Sequence, residues 1–261
     1  MSGLFRAAMF AMTSLLLGTS VQADPSSVGI VLMHGKWGSP DRGINEVASA
    51  LSRAGYIVVS PEMPWSGKRL YDVGWPGAMA EIDKAVTQLK GKGASKIIVG
   101  GHSFGANAAL GYAAGHHDVV GVMALAAGHV PERFFRIPDV AAGLDKARAW
   151  IAEGKGEQYA NFMDPNQGRS RELSIHPKVF LSYFDPDGEA VMPRNASKMA
   201  ENTALLWVIG TRDPLYPAGR HYAFDRAPAN PKSLYHVVEA DHFGTPSEAR
   251  DTILAWVKTL E

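Results

Sequence analysis

One serine of the chain lies in a setting typical of a catalytic nucleophile. Gly101-His102-Ser103-Phe104-Gly105 follows an apolar run at 96–100 that predicts a strand, and it precedes an alanine-rich segment that predicts a helix. A sharp turn between a strand and a helix raises the serine hydroxyl above the sheet, and Gly101 and Gly105 let the two elements approach closely. The free N–H groups at the start of the helix favour a developing negative charge. The pattern predicts that Ser103 is a nucleophile.

A serine hydroxyl needs a base, and the base needs an acid that orients it. Asp213 follows the apolar run 204–209, and His242 follows the last such run, 234–238. The order Ser, Asp, His, each at the end of a different strand, fits an open α/β sheet that binds its ligand at the carboxyl ends of its strands. We therefore expect a proton to pass from Ser103 to His242, while Asp213 fixes the tautomer of the imidazole.

Three other aspartates compete for the role of the acid. Asp185 and Asp187 lie in the turn sequence Asp-Pro-Asp-Gly, and Asp241 adjoins the base, where we expect it to cap or orient the loop. Asp213 is preferred because it alone follows a strand at the position that the acid requires.

The oxyanion of a tetrahedral intermediate needs two hydrogen-bond donors. Lys36 follows the first predicted strand, so its backbone N–H can point into the same pocket, and the backbone N–H of Phe104 is the second expected donor. The side chain of Lys36 is expected to be incidental to this role. His34 and His102 are expected to support the site by local hydrogen bonds rather than to carry protons.

The elements that position these residues alternate between strand and helix. Apolar runs predict strands at 29–35, 56–60, 96–100, 119–125, 204–209 and 234–238, and helical spacing predicts helices at about 41–54, 76–91, 106–114 and 247–260. This alternation implies right-handed crossovers. The predicted fold class is α/β, with about six strands in a mostly parallel sheet and helices on both faces.

The stretch 129–203, after the fourth strand, is much longer than a crossover requires, and we expect it to be a cap or lid over Ser103. It contains a β-prone run at 179–184 and an amphipathic helix whose apolar face is formed by Val140, Leu144, Ala147 and Ile151. The alternative is that this helix packs on the sheet as an ordinary crossover.

Composition excludes several classes of function. The chain has no cysteine, which excludes disulfides, thiolate metal sites and a cysteine nucleophile. The chain has 26 Lys and Arg and 26 Asp and Glu. This balance argues against a nucleic-acid partner, because a protein that binds nucleic acid requires a basic surface. His116, His117 and Asp118 are adjacent, and adjacent residues seldom bind one metal ion. We predict no cofactor and no metal.

Residues 1–23 have the features of a signal peptide. Arg6 is the only charge before Asp24, an apolar stretch covers 7–18, and Val21-Gln22-Ala23 offers a cleavage site. We expect residues 24–261 to form one exported domain, periplasmic or secreted, without a further membrane span. An uncleaved anchor and a buried first helix are the alternatives.

These motifs together resemble the α/β-hydrolases of the serine esterase and lipase type. The resemblance covers nearly all of 24–261, and the matching segments, in order, are His34-Gly-Lys-Trp-Gly-Ser-Pro40, the Gly-His-Ser-Phe-Gly turn, Gly210-Thr-Arg-Asp-Pro214 and Asp241-His-Phe243. It implies the α/β-hydrolase fold, with Ser103 as nucleophile, Asp213 as acid, His242 as base and the amides of Lys36 and Phe104 as oxyanion donors.

The resemblance implies a serine hydrolase of the carboxylesterase kind, which cleaves an ester or thioester of a small-molecule acyl substrate through an acyl-enzyme. Two alternatives stay open: an aminopeptidase-like amide hydrolase, and a non-catalytic periplasmic accessory protein on the same fold. Trp37 and Trp65 fall near strand ends and are candidate substrate contacts, although aromatic residues in such loops are as often packing residues.

Overall fold

The six apolar runs predicted as strands pair side by side in one parallel sheet. The computed structural model describes residues 27–261, so the predicted signal peptide at 1–23 lies outside the described residues. The strands of the sheet are β1 (Val28–Met33), β2 (Ile57–Val59), β3 (Lys96–His102), β4 (Val119–Leu125), β7 (Ala204–Gly210) and β8 (Leu234–Val238). Their order is β2-β1-β3-β4-β7-β8, and every neighbouring pair is parallel. The prediction of about six strands is confirmed.

Helices cover both faces of this sheet, as expected for strands that are apolar throughout. The helices are α1 (Asn45–Arg53), α2 (Trp75–Gly91), α3 (Phe104–Gly115), α8 (Thr245–Glu248) and α9 (Arg250–Lys258). The buried side chains of α2 and α3 belong to one core, and those of α1 and α9 belong to a second core on the opposite face. The helix predicted at 247–260 is divided into α8 and α9, because the backbone of Ala249 between them is not helical, with ψ 4°.

The long stretch after β4 folds into an insertion of six elements. These are α4 (Pro131–Phe134), α5 (Pro138–Ala152), β5 (Ala160–Asn166), β6 (Arg169–Ile175), α6 (Pro177–Phe184) and α7 (Met192–Ala196). β5 and β6 form an antiparallel hairpin whose two turn residues, Gln167 and Gly168, both have positive φ. That conformation suits the right-handed twist of the hairpin. We call residues 165–168 the hairpin turn.

One element of the insertion differs from its prediction. The run 179–184 was expected to be β-prone, but it lies in helix α6. Pro177 begins this helix without losing a hydrogen bond, and Phe180, Tyr183 and Phe184 place their side chains on one buried face. The spacing of these aromatic residues is therefore that of a helix rather than of a strand.

The amphipathic helix predicted in the insertion is α5, and its apolar face packs inside the insertion. Val140, Leu144 and Ala147 are buried. A Cβ added to Gly143 on the same helix would lie 3.3 Å from the ring of Phe180 in α6. This face is covered by α6 and by the hairpin of the same insertion. That the insertion 129–203 acts as a cap or lid over Ser103 stays a prediction. Within residues 27–261 no helix combines the length and the apolar character that a membrane crossing requires.

Candidate active site

Ser103 occupies a strained turn at the carboxyl end of β3. Its φ of 56° and ψ of −114° lie outside the regions that a residue with a side chain normally adopts. A Cβ on either Gly101 or Gly105 would lie 2.5 Å from the carbonyl oxygen of Met33 in β1, so a side chain at either position would collide with backbone. The predicted role of the two glycines in this turn therefore has a direct steric cause.

Asp213 and His242 form a buried pair beside this turn. Nδ1 of His242 donates to Oδ2 of Asp213 over 2.7 Å, and the side chains are 5% and 1% exposed. The other carboxylate oxygen accepts the backbone N–H of Leu215 over 2.7 Å, which fixes the orientation of Asp213. A proton on Nδ1 leaves Nε2 of the imidazole free to accept one.

Gly128, which the sequence did not single out, provides the space between Ser103 and His242. A Cβ at this position would lie 2.8 Å from Oγ of Ser103 and 3.5 Å from Cε1 of His242, so both side chains border the same small volume. The signal in the sequence was the run of small residues Ala126-Ala127-Gly128 directly after β4. Any side chain at position 128 would fill the space in which the reacting atoms must meet.

The competing aspartates have other partners. Oδ1 of Asp241 accepts the backbone N–H groups of Phe243 and Gly244 over 3.1 and 2.7 Å, and it therefore caps the loop that carries the histidine. Asp185 accepts the backbone N–H of Asp187 in the turn that follows α6. Of the four aspartates, Asp213 alone contacts the imidazole of His242.

Two further histidines support the site through their hydrogen bonds. Nε2 of His102 donates to the backbone carbonyl of His242 over 2.9 Å, and burial lowers the pKa of His102 to about 4. His34 donates from Nδ1 to the carbonyl of Gly35 and accepts the backbone N–H of Met63 at Nε2. Burial lowers the pKa of His34 as well. Because both imidazoles are held neutral, they can fix loops without adding charge beside His242.

The two expected oxyanion donors are unpaired. Among the described residues, the backbone N–H groups of Lys36 and Phe104 donate to no acceptor. For Phe104 the cause is its position in the first turn of α3, where no preceding helical carbonyl is available. Lys36 and Ser103 both border the cavity described below.

The side chain of Lys36 connects this loop to the insertion, which the sequence did not indicate. Its Nζ donates to Oδ1 of Asp164 in β5 over 2.5 Å and to the carbonyl of Pro165 over 2.9 Å. Asp164 is fully buried, and its Oδ2 also accepts from Nε1 of Trp37 over 2.6 Å and from the hydroxyl of Tyr71 over 3.1 Å. Burial lowers the pKa of Lys36, and the carboxylate of Asp164 opposes this effect.

A cavity of about 230 Å³ opens above Ser103. Its wall is formed by Lys36, by residues 127–130, 133 and 134 after β4, by the hairpin turn and by residues 213–215. The insertion thus contributes to the wall through its hairpin turn and through α4, whereas α5 contributes nothing.

The two tryptophans predicted as substrate contacts lie outside this wall. Trp65 is fully buried, its ring stacks on that of Phe104 at 4.6 Å between centroids, and its Nε1 donates to the carbonyl of His34. Trp37 is held by Asp164, and its ring faces the guanidinium of Arg171 at 4.6 Å. Within residues 27–261 no group of three His, Asp or Glu side chains is arranged to hold a metal ion.

Comparison with protein families gives a match over most of the chain. The model of a family described as the alpha/beta hydrolase family matches residues 30–255, which include all six strands of the sheet except the first two residues of β1. A comparison with curated proteins found no match.

Solved structures with the same fold include several lipolytic enzymes. One is from a study of LipS and LipT, two metagenome-derived lipolytic enzymes, with TM-score 0.65, 18% identity and coverage of 89% of this chain and 94% of that chain. A monoacylglycerol lipase of Paleococcus ferrophilus has TM-score 0.64, 20% identity and coverage of 89% and 95%. A carboxyl esterase of Bacillus coagulans has TM-score 0.62, 16% identity and coverage of 88% of both chains. At these identities the likeness shows the fold.

Proposed function

Because the chain belongs to the alpha/beta hydrolase family, we propose that it is a serine hydrolase that cleaves a carboxylic ester or thioester through an acyl-enzyme. The observation that carries this proposal is the buried pair of Asp213 and His242, which borders, together with Oγ of Ser103, the small space at Gly128. A neutral imidazole oriented by a carboxylate next to a serine hydroxyl is the arrangement that activates serine for acyl transfer.

In the proposed reaction, Oγ of Ser103 attacks the ester carbonyl carbon while Nε2 of His242 takes the hydroxyl proton. The tetrahedral intermediate collapses when the bond to the leaving alcohol or thiol breaks, and His242 returns the proton to that group. A water molecule then attacks the acyl-serine, with the same histidine as base, and releases the carboxylic acid. Asp213 stabilises the imidazolium that forms in each half of the reaction without taking the proton itself.

The oxyanion of each tetrahedral intermediate would be held by the backbone N–H groups of Lys36 and Phe104. Both N–H groups lack an acceptor in the described part of the chain, so they can donate without first breaking another hydrogen bond. Fixed donors of this kind lower the barrier because no reorganisation is needed as charge develops. The hairpin turn would restrict the access of water from above.

The charges of the cavity favour an ester over an aminoacyl amide. An aminopeptidase requires a carboxylate for the substrate ammonium, and the wall of the cavity contains one carboxylate, Asp213, which is engaged by His242. Glu153, Glu157 and Glu172 of the insertion are not part of the wall and have polar partners elsewhere on the insertion.

The test is a comparison of substrates with the wild-type protein and a Ser103→Ala variant. We expect hydrolysis of p-nitrophenyl acetate and butyrate by the wild type, its loss in Ser103→Ala, and no hydrolysis of aminoacyl p-nitroanilides. Preferential hydrolysis of the anilides would support the amide alternative. An absence of Ser103-dependent hydrolysis for both substrate classes would support the non-catalytic alternative. We further propose that the activity is exported, on the basis of the signal sequence at 1–23.

A further inference from the structure

The wall of the cavity beside Ser103 contains a cation without an anionic partner. Of the charged residues in this wall, Lys36 is paired with Asp164 and Asp213 is paired with His242. Arg133 in α4 is the third, and within residues 27–261 it forms no salt bridge. Since the carboxylate of Asp213 is already engaged by His242, Arg133 is the charged side chain of this wall, among the described residues, that is available to pair with an anion of the substrate.

The guanidinium of Arg133 is oriented by aromatic stacking. Its Cζ lies 4.9 Å from the centre of the ring of Tyr222, a cation–π contact that leaves the N–H groups free to bind a ligand. Tyr222 is in turn fixed, because its hydroxyl donates to Oε1 of Glu132. Burial raises the pKa of Glu132, and the hydrogen bond to Tyr222 and the charge of the neighbouring Arg133 partly oppose this effect. The cation is therefore positioned before substrate binds, and the adjacent carboxyl of Glu132 is hydrogen-bonded to Tyr222 rather than paired with Arg133 in a salt bridge.

We infer that Arg133 selects esters that carry a second, ionised carboxylate, which its guanidinium binds while the ester group lies at Ser103. This inference rests on the proposed function of the site. A planar guanidinium forms two parallel hydrogen bonds with a carboxylate, a geometry that a lysine ammonium cannot provide. A cavity of about 230 Å³ has room for the acyl group of a short dicarboxylic acid. The preferred substrates are therefore monoesters of short dicarboxylic acids, or esters whose leaving alcohol carries the carboxylate.

The expected effect is a change in the preference between an anionic and a neutral ester. Hydrogen bonds to a charged group contribute enough to change kcat/KM by about tenfold to hundredfold. We therefore expect the wild type to prefer mono-p-nitrophenyl adipate over p-nitrophenyl hexanoate, which has a methyl group in place of the carboxylate. Arg133→Gln should lower the ratio of kcat/KM for the two esters by about tenfold to hundredfold, chiefly through KM for the adipate. Arg133→Lys should give an intermediate ratio, since the charge is kept and the paired hydrogen bonds are lost.

Arg136→Gln is the matched control. Arg136 is an exposed arginine three positions further along, lies against the ring of Phe135 and is not part of the cavity wall. This variant should keep the ratio of the wild type. Ser103→Ala measures the background, which must be subtracted because aryl esters of dicarboxylic acids also hydrolyse without an enzyme.

A second pair of esters locates the carboxylate. In 4-carboxyphenyl butyrate the anion is on the leaving group, and 4-methylphenyl butyrate is its neutral counterpart. A preference that depends on Arg133 in either pair supports the inference and shows which side of the ester faces the arginine. If both esters of a pair are hydrolysed in a Ser103-dependent manner but Arg133→Gln changes neither ratio, the inference is wrong and the proposed function stands. If no ester is hydrolysed faster by the wild type than by Ser103→Ala, both are wrong.

Discussion

Asp164 is the residue whose replacement should disturb both stability and catalysis most clearly. Its buried carboxylate accepts from Nζ of Lys36, from the indole of Trp37 and from the hydroxyl of Tyr71, and Arg171 lies opposite it in the hairpin. Asp164→Asn preserves the shape of the side chain and removes its charge. The ammonium of Lys36, with a side chain 2% exposed, then remains buried without a counter-charge.

The loss of stability expected for Asp164→Asn follows from the burial of the ion pair between Lys36 and Asp164. Breaking a buried ion pair by removing one partner typically destabilises a protein by about 3–5 kcal/mol. The total stability of a domain is about 5–15 kcal/mol, so Asp164→Asn should remove a large part of it. Burial already lowers the pKa of Lys36, and loss of the carboxylate lowers it further. Because a neutral lysine is easier to bury, the destabilisation of Asp164→Asn should become smaller as the pH rises towards the usual pKa of lysine, about 10.4.

The assay combines denaturant unfolding with ester kinetics. The double variant Lys36→Met, Asp164→Asn removes both charges and should recover most of the stability, while it keeps the backbone N–H at position 36. Asp164 holds the side chain of Lys36, whose backbone N–H is a proposed oxyanion donor. Because an oxyanion donor acts mainly in the transition state, we expect Asp164→Asn to lower kcat more than it changes KM. Asp145→Asn is the control: Asp145 has an 85% exposed side chain, 3.8 Å from Arg148, and its replacement should change stability by less than about 0.5 kcal/mol.

Two results would refute this reasoning. One is an Asp164→Asn variant within about 1 kcal/mol of the wild type, which would mean that Lys36 is not held as a buried cation. The other is a double variant that is less stable than Asp164→Asn, which would mean that shape and hydrogen bonding, rather than unpaired charge, determine the loss.

Three further predictions concern the triad, the pH dependence and export. Asp213→Asn should keep the fold, by circular dichroism, and lower kcat by several orders of magnitude, since the same replacement in a serine protease lowers kcat by about 10⁴; an active variant would reassign the acid. Burial lowers the pKa of His102 to about 4, whereas in an unfolded chain this histidine keeps its ordinary pKa of 6.5. Between these two pH values the unfolded state therefore binds a proton that the folded state does not, so the free energy of unfolding falls as the pH drops through this window. His102→Gln should remove about 3 kcal/mol of this fall, as measured by unfolding titrations. Equal slopes of stability against pH in the wild type and in His102→Gln would contradict this. The exported protein should begin at Asp24, and an intact mass that retains residues 1–23 would disprove cleavage after Ala23.

The sheet and the candidate triad were predictable because both depend on local signals. A strand buried on both faces appears in the sequence as a continuous apolar run, and the run 119–125 matches β4 residue for residue. The residues proposed for catalysis follow such runs directly, since parallel strands end at one edge of the sheet. The strained turn at Ser103 was also recognisable, because its two glycines mark the close approach of β3 and α3 to β1.

The insertion was less predictable because its structure depends on distant contacts. Its aromatic run at 179–184 is compatible with strand or helix, and the packing of Phe180 against Phe162 in β5 favours the helix. Asp164 carries no local motif, since its partner Lys36 is 128 positions away in the chain. The neutral charge balance of the whole chain likewise gave no indication that Arg133 would lie unpaired in the cavity wall.

The most direct test of the central claim is covalent labelling with a fluorophosphonate, followed by intact-mass measurement and peptide mapping. A serine activated by His242 and Asp213 should take up one phosphonyl group at Ser103, and Ser103→Ala should take up none. The rate of labelling in His242→Ala should fall by orders of magnitude, because the base that removes the hydroxyl proton is lost. An unlabelled wild-type protein, or a label at another residue that persists in Ser103→Ala, would contradict the account.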